Sequence, residues 1–343
     1  MGLGRYIARR GVNLIVLILV IVAFNFFLFQ ILPFTTSCPG QTYNQCVQIL
    51  YVPPAPAKGG NASAIIAHER AQVMAQFGFN QPLGTRFVLY FEDMFTGHYG
   101  FNIGGLLGGP VWQTVTERVP YTLLLLGSAT ISAFIIGIGV GVLAAAKRGK
   151  AFDVGSLATF LFINSLPVFF LGGILIVLQI VVIGKAYVNL GTLTLTKYGA
   201  AAIVPTLQAM WLPFLSLTLV SIGGVYLTMR ATMIDVLGED YITMARAKGL
   251  DESTVLYKHA FRNAIIPIAT LFALSIGFIL GGALLTETVF DWPGLGLAIY
   301  EAVVTNDFPL EQAMFFIIAV MVLIANFVVD IAYGFLDPRI KAG

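Results

Sequence analysis

A run without a charged residue, from Val12 to about Pro33, follows Arg5, Arg9 and Arg10 at the start of this 343-residue chain. At about 1.5 Å per helical residue such a run crosses the roughly 30 Å apolar slab of a bilayer. Five more apolar runs recur, at about Tyr121–Ala146, Val154–Ile183, Ile203–Met229, Ile265–Leu285 and Gln312–Phe335. In lipid every backbone N–H and C=O must be paired within the protein, and runs of this length achieve that as helices. With 58% hydrophobic and 10% charged residues, a soluble domain would expose very large apolar patches. The expectation is an all-α integral membrane protein with six transmembrane helices. The first run is read as retained: it exceeds a typical signal-peptide h-region, and the bulky residues Phe29–Phe34 offer no small-residue cleavage site.

The placement of cations sets the orientation. Thirteen of the nineteen Lys and Arg residues fall at the N-terminus, between 147 and 150, between 230 and 262, and at the C-terminus. Both termini are therefore expected in the cytoplasm, with the chain in the cell membrane. The other six are Lys58, Arg70, Arg86, Arg118, Lys185 and Lys197, on the opposite face, and four of them sit in one long segment. Three parts follow: a first helix (1–34), a small extracytoplasmic domain (35–116), and a five-helix membrane domain (117–343) with a polar loop at 230–264.

In the outer part, Pro53-Pro54-Ala55-Pro56 and Gly59-Gly60 read as an exposed turn or linker, and Asn61-Ala62-Ser63 is a glycosylation sequon. Two amphipathic helices are expected, Ala64–Phe77 and Thr85–Thr96. Cys38 and Cys46, the only cysteines, are either bridged in an oxidising compartment or two unpaired thiols.

The densest charge lies in Glu239–Pro267, EDYITMARAKGLDESTVLYKHAFRNAIIP. Asp240 is expected to cap a short helix whose cationic end carries Arg246 and Lys248, with Gly249 as the left-handed residue that ends it. Ile242, Ala245 and Gly249 fall on one stripe, which reads as a face with room for another protein's side chains. Leu256, Ala260 and Phe261 line one face of a second helix. Spacing alone equally permits a helix resting on the membrane surface.

Asp240-Tyr241, Ala245-Arg246-Ala247-Lys248-Gly249-Leu250, His259, Arg262-Asn263-Ala264 and Pro267 resemble the cytoplasmic EAA-type loop of ABC importer permeases of the dipeptide/oligopeptide class. Phe79–Leu83, Gly97–Gly100, Glu287–Gly296, Asp307-Phe308-Pro309 and Asp337-Pro338-Arg339-Ile340 extend the resemblance along nearly the whole chain. It implies a type I ABC importer permease fold and makes Glu239, Asp240, Ala245, Arg246, Ala247, Lys248 and Gly249 the segment that couples to an ATPase. It also implies a second homologous permease, two ATP-binding subunits that hold ATP and Mg, and an extracytoplasmic solute-binding protein. Members of the class also serve oligosaccharide and nickel importers, and the Ser37–Asn61 portion departs from the class pattern, so the solute rests on the class.

Motifs for chemistry within the chain are missing. There is no GxxxxGK[ST] phosphate loop, no GxSxG or HExxH, and His68, His98 and His259 do not converge in sequence. No metal site, no cofactor of the chain's own and no basic patch for nucleic acid are expected. Asn164-Ser165-Leu166-Pro167 breaks the third run at membrane depth, either as a packed kink or as a lining of the transport path. Asn326 in the sixth run is the other path candidate; nearby Asp330 is expected to pair with a cation. A self-contained channel or an intramembrane enzyme is the reading from a different class.

Overall fold

Helix length sets the framework. The computed structural model describes residues 3–36, 38, 40–52, 62–103, 109–184, 187, 202–280 and 284–336. Among them, α1 (Leu3–Phe26) runs through a π-helical turn (Phe27–Ile31) into α2 (Leu32–Thr36), followed by α3 (Tyr43–Tyr51), α4 (Ala62–Gln76) and α5 (Leu83–Thr96). Then come α6 (Val111–Ala146), α7 (Ala151–Asn164), α8 (Val168–Leu178) with a π turn at Gln179–Ile183, and α9 (Ile203–Leu237). The remainder is α10 (Asp240–Ala247), α11 (Glu252–Thr254), a π turn (Val255–Ala260), α12 (Phe261–Leu280), α13 (Leu284–Val289), α14 (Leu295–Thr305) and α15 (Phe308–Leu336). No strand occurs among the described residues, only an isolated bridge between Phe101 and Pro110.

Gly4–Phe34, Val111–Ala146, Ile203–Leu237 and Phe308–Ile331 are each long and apolar enough to cross a membrane. The third expected span is a helix pair, Ala151–Asn164 and Val168–Ile183, bent by 101°. The expected fifth span corresponds to α12, and its continuation at 281–283 lies outside the described residues. So do Pro53–Pro56, Gly59–Asn61, Lys185, Lys197 and Asp337–Ile340.

Two compact units divide the chain: residues 1–121, 280–284 and 293–343, and residues 122–279 and 285–292. In the first, α1 packs along α15, and α1 and the π turn after it carry polar groups that find partners inside. Asn25 Nδ2 donates to Gln312 O at 2.9 Å, and Gln30 Nε2 to Gln312 Oε1 at 3.1 Å. Arg86, 7% exposed, donates from Nη2 to Gln30 O (2.8 Å) and lies 4.9 Å from the Phe79 ring centroid. Among the described residues no carboxylate pairs with it, so hydrogen-bond acceptors and ring faces are what hold the buried charge. Cys38 and Cys46 are joined by a disulfide beside Val47, Leu50, Tyr51, Phe77 and Phe79. Asp330 pairs with Arg10 at 3.0 Å.

The second unit is held by close helix approach. A Cβ on Gly137 would lie 2.8 Å from Val225 Cβ, and one on Gly141 would lie 2.8 Å from Met229 Cβ, so only glycine admits α9 this closely to α6. Gly139, between them on the second apolar run, faces open space. Glu287 is buried and accepts from Thr122 Oγ1 at 3.0 Å.

Several boundaries differ from expectation. The second membrane helix begins at Val111 and keeps Pro120 inside it, because a single missing N–H is tolerated where the rest of the helix is packed. Two further helices fell within segments read as polar or as turns. α3 is announced by Thr42, whose N–H donates to Gln45 Oε1 at 2.9 Å. α14 follows Gly294 as eleven mostly apolar residues.

Candidate functional site

The polar stretch folds as a mounted helix. α9 has 35 residues and is about 50 Å long at 1.5 Å per residue, longer than an apolar slab of about 30 Å, so its end projects beyond the slab. After Gly238 the eight-residue α10 begins, with Glu239 as N-cap and Asp240 in the first turn. Neither side chain makes the cap: Glu239 has no side-chain cap bond, and Asp240 is already helical. The expected Asp240 cap is replaced by the favourable field of an acidic first turn.

The other end forms as expected from its glycine. Gly249 has φ +78°, its N–H donates to Arg246 O at 2.9 Å, and Leu250 N–H donates to Ala245 O at 3.4 Å, the paired closure of a Schellman motif. Arg246 then pairs with Glu252 at 2.9 Å. Asp251 caps α11 by accepting from Thr254 N (3.0 Å). Hydrogen bonds from Ser253 and Thr254 hold its carboxyl below the usual carboxylate range.

Of the stripe read as open to another protein, Ile242 and Ala245 are turned inward, while Gly249 stays exposed with open space beside it. Ile242 is fully buried and Ala245 is 7% exposed, packed with Met233, Val255, Ala260, Ala264 and Ile268. Two residues spaced three apart face the same way on a helix, and here that way is the chain's own core. Asn263 Nδ2 donates to Tyr241 Oη at 2.7 Å and Thr232 Oγ1 to Ala264 O at 3.2 Å, completing the mount. The outer surface carries Tyr241, Met244 (64% exposed), Leu250 and Tyr257 (54% exposed), with Arg246, Ala247 and Lys248 exposed beside them. Exposed apolar side chains on a charged segment suit a protein partner.

Of the other expected positions, Asn164 and Ser165 stand exposed at the bend between α7 and α8. Asn164 abuts Gly223 of α9, where a Cβ would lie 2.7 Å from Asn164 Cβ. Asn326 belongs to the other unit, exposed, in a cleft lined by Arg10, Asn13 and Asp330. No group of three or more His, Cys, Asp or Glu residues placed to hold a metal occurs among the described residues.

Sequence reading missed Asp153. Its carboxylate is 2% exposed and receives Arg230 Nε at 2.5 Å, Arg230 Nη2 at 2.9 Å and Gly149 N at 2.9 Å. The available signal was two opposite charges at equivalent ends of successive apolar runs, one after Lys147–Lys150 and one at the end of the fourth run.

The family model described as "Binding-protein-dependent transport system inner membrane component" matches residues 137–342, more than half of the chain. The chain belongs to this family. Curated relatives agree with that membership. The chain is 34% identical over 309 residues to the dipeptide transport system permease protein DppB of Escherichia coli (strain K12), covering 82% of this chain and 90% of that one. It is 36% identical over 274 residues to the oligopeptide transport system permease protein AppB of Bacillus subtilis (strain 168), covering 80% and 85%. A probable peptide ABC transporter permease protein of Sinorhizobium fredii is 32% identical over 346 residues, covering 99% of this chain and 100% of that one. As an inner membrane component of a transport system, with several apolar helices, the protein is a multi-pass membrane protein. The matched residues include α7, α8, α9 and the whole mounted helix.

Proposed function

We propose that this chain is one permease subunit of an ATP-driven importer of di- or oligopeptides, forming half of the translocation pathway and working by alternating access. The observation that carries the reading is α10: a short helix fixed to the chain's own core on one side and presenting Tyr241, Met244, Leu250 and Tyr257 on the other. In a chain without a phosphate loop, such a face is a handle for a separate motor. Two ATP-binding subunits would dock there and hold ATP and Mg. A second homologous permease completes the pathway, and an extracytoplasmic solute-binding protein delivers the solute. Six spans with both termini in the cytoplasm, an outer domain at 35–116 and a coupling loop at 230–264 belong to the same proposal, as do Asn164, Ser165 and Asn326 as lining of the path. The relatives' dipeptide and oligopeptide names favour peptide over oligosaccharide or nickel.

ATP-driven closure of the ATPase pair supplies energy as differential contact with two permease states. The chain is to be isolated from its native membrane in mild detergent: an ATP-hydrolysing subunit should accompany it, and Met244→Asp should release that subunit. A chain that purifies alone and conducts ions or turns over a substrate by itself would overturn the reading.

A further inference from the structure

Within the second unit, α7 and α9 meet along one antiparallel seam. Asp153, Ser156, Phe160 and Asn164 recur at intervals of three and four, as do Gly223, Tyr226 and Arg230, so each set lies on one helical face. Their contacts pair off in order. Asp153 takes both donors of Arg230 at 2.5 and 2.9 Å. Ser156 Oγ and Tyr226 Oη are 2.8 Å apart, and the Phe160 and Tyr226 rings lie 4.7 Å apart. At the far end Asn164 closes on Gly223. Three residues beyond Arg230, Met233 enters the core that holds Ile242 and Ala245 of α10.

We propose that this seam is the linkage by which movement of α10 reaches the bend at residues 164–167, with Asp153 and Arg230 as its positioning residues. The inference rests on the coupling role proposed for α10. A bidentate carboxylate–guanidinium pair resists both sliding and rotation, because two parallel hydrogen bonds fix distance and angle together. Backed by Gly149 N–H on the same carboxylate, it ties the start of α7 to the part of α9 nearest α10. Tyr226 and Gly223 continue the tie at the next two turns, so α7 follows α9 as one body. The bend, where no α-helical ladder joins α7 to α8, is where that body's motion changes the path.

The test uses the full complex reconstituted in liposomes, with ATP hydrolysis and peptide uptake measured together. Asp153→Asn and Arg230→Gln should keep solute-stimulated hydrolysis within about twofold while uptake per ATP falls about tenfold, since either change removes the two parallel charge-assisted hydrogen bonds that fix α7 against α9. The reversed pair, Asp153→Arg with Arg230→Asp, should raise uptake per ATP at least about threefold above either single variant, short of the parent because Gly149 N–H loses its acceptor. Unchanged uptake per ATP in the single variants would overturn the proposal. So would hydrolysis and uptake falling in parallel, or loss of the ATPase subunits, because the pair would then serve folding alone. Failure of the importer reading shows elsewhere: the unmodified complex would not link hydrolysis to uptake at all.

Discussion

Two adjacent residues of α10 separate its inner and outer faces. Met244 is 64% exposed, and burying a whole methionine side chain contributes about 1.5–3 kcal/mol, so covering the exposed fraction contributes about 1–2 kcal/mol. At 1.4 kcal/mol per tenfold, Met244→Ala should weaken ATPase docking about 5- to 25-fold without altering the fold. Ala245→Leu does the opposite: three extra heavy atoms enter the core of Ile242, Val255 and Ala260 and cost about 1–3 kcal/mol of local stability by overpacking. The assay is titration of labelled ATPase subunits onto the permease pair in nanodiscs, alongside limited proteolysis at residues 239–260. Docking within twofold of the parent for Met244→Ala, or a protease-resistant Ala245→Leu, would refute the assignment of faces.

Two further outcomes follow from the first unit. Gln30→Leu removes an acceptor from buried Arg86 and a donor from Gln312, and should lower the stability of detergent-solubilised protein by about 2–3 kcal/mol; adding Arg86→Met should recover more than half of that in chemical denaturation. Burial pushes the Asp93 carboxyl up to about 6 from 3.8, so the fold favours its protonated form. Its contribution is complete below about pH 4 and is lost as pH rises through 6; the thermal midpoint should fall across that window, and Asp93→Asn should remove that part of the fall.

Much of the fold was legible because lipid leaves few choices. The run from Val12 to Pro33 announces a membrane helix by composition alone, and the glycines at 137, 139 and 141 announce a close helix contact without telling that only 137 and 141 face α9. The break at Asn164–Pro167 was legible as a break; its 101° bend was not, since α7 and α8 each pack on α9, a contact distant in sequence. α10 ends where Gly249 requires, because a left-handed residue is a local property. The direction its stripe faces is not local. Ile242 and Ala245 fit either an outside partner or an inside core, and only the positions of Met233, Val255 and Ala260 decide between them. Asp153 went unread for the same reason, as a pair formed by residues 77 apart has no local signature. α14 was hidden by its setting among turn residues, although its own eleven residues are helical by composition.

The central claim is that this chain is moved by a separate ATPase acting through α10. Its most direct test is uptake of a labelled dipeptide into liposomes that contain this chain, its partner permease and the ATPase subunits, with the solute-binding protein on the uptake side. Uptake should require ATP on the ATPase side and all of these components, and Met244→Asp should abolish it while leaving the permease pair assembled. Uptake by the chain alone, or uptake that persists with Met244→Asp, would contradict the account.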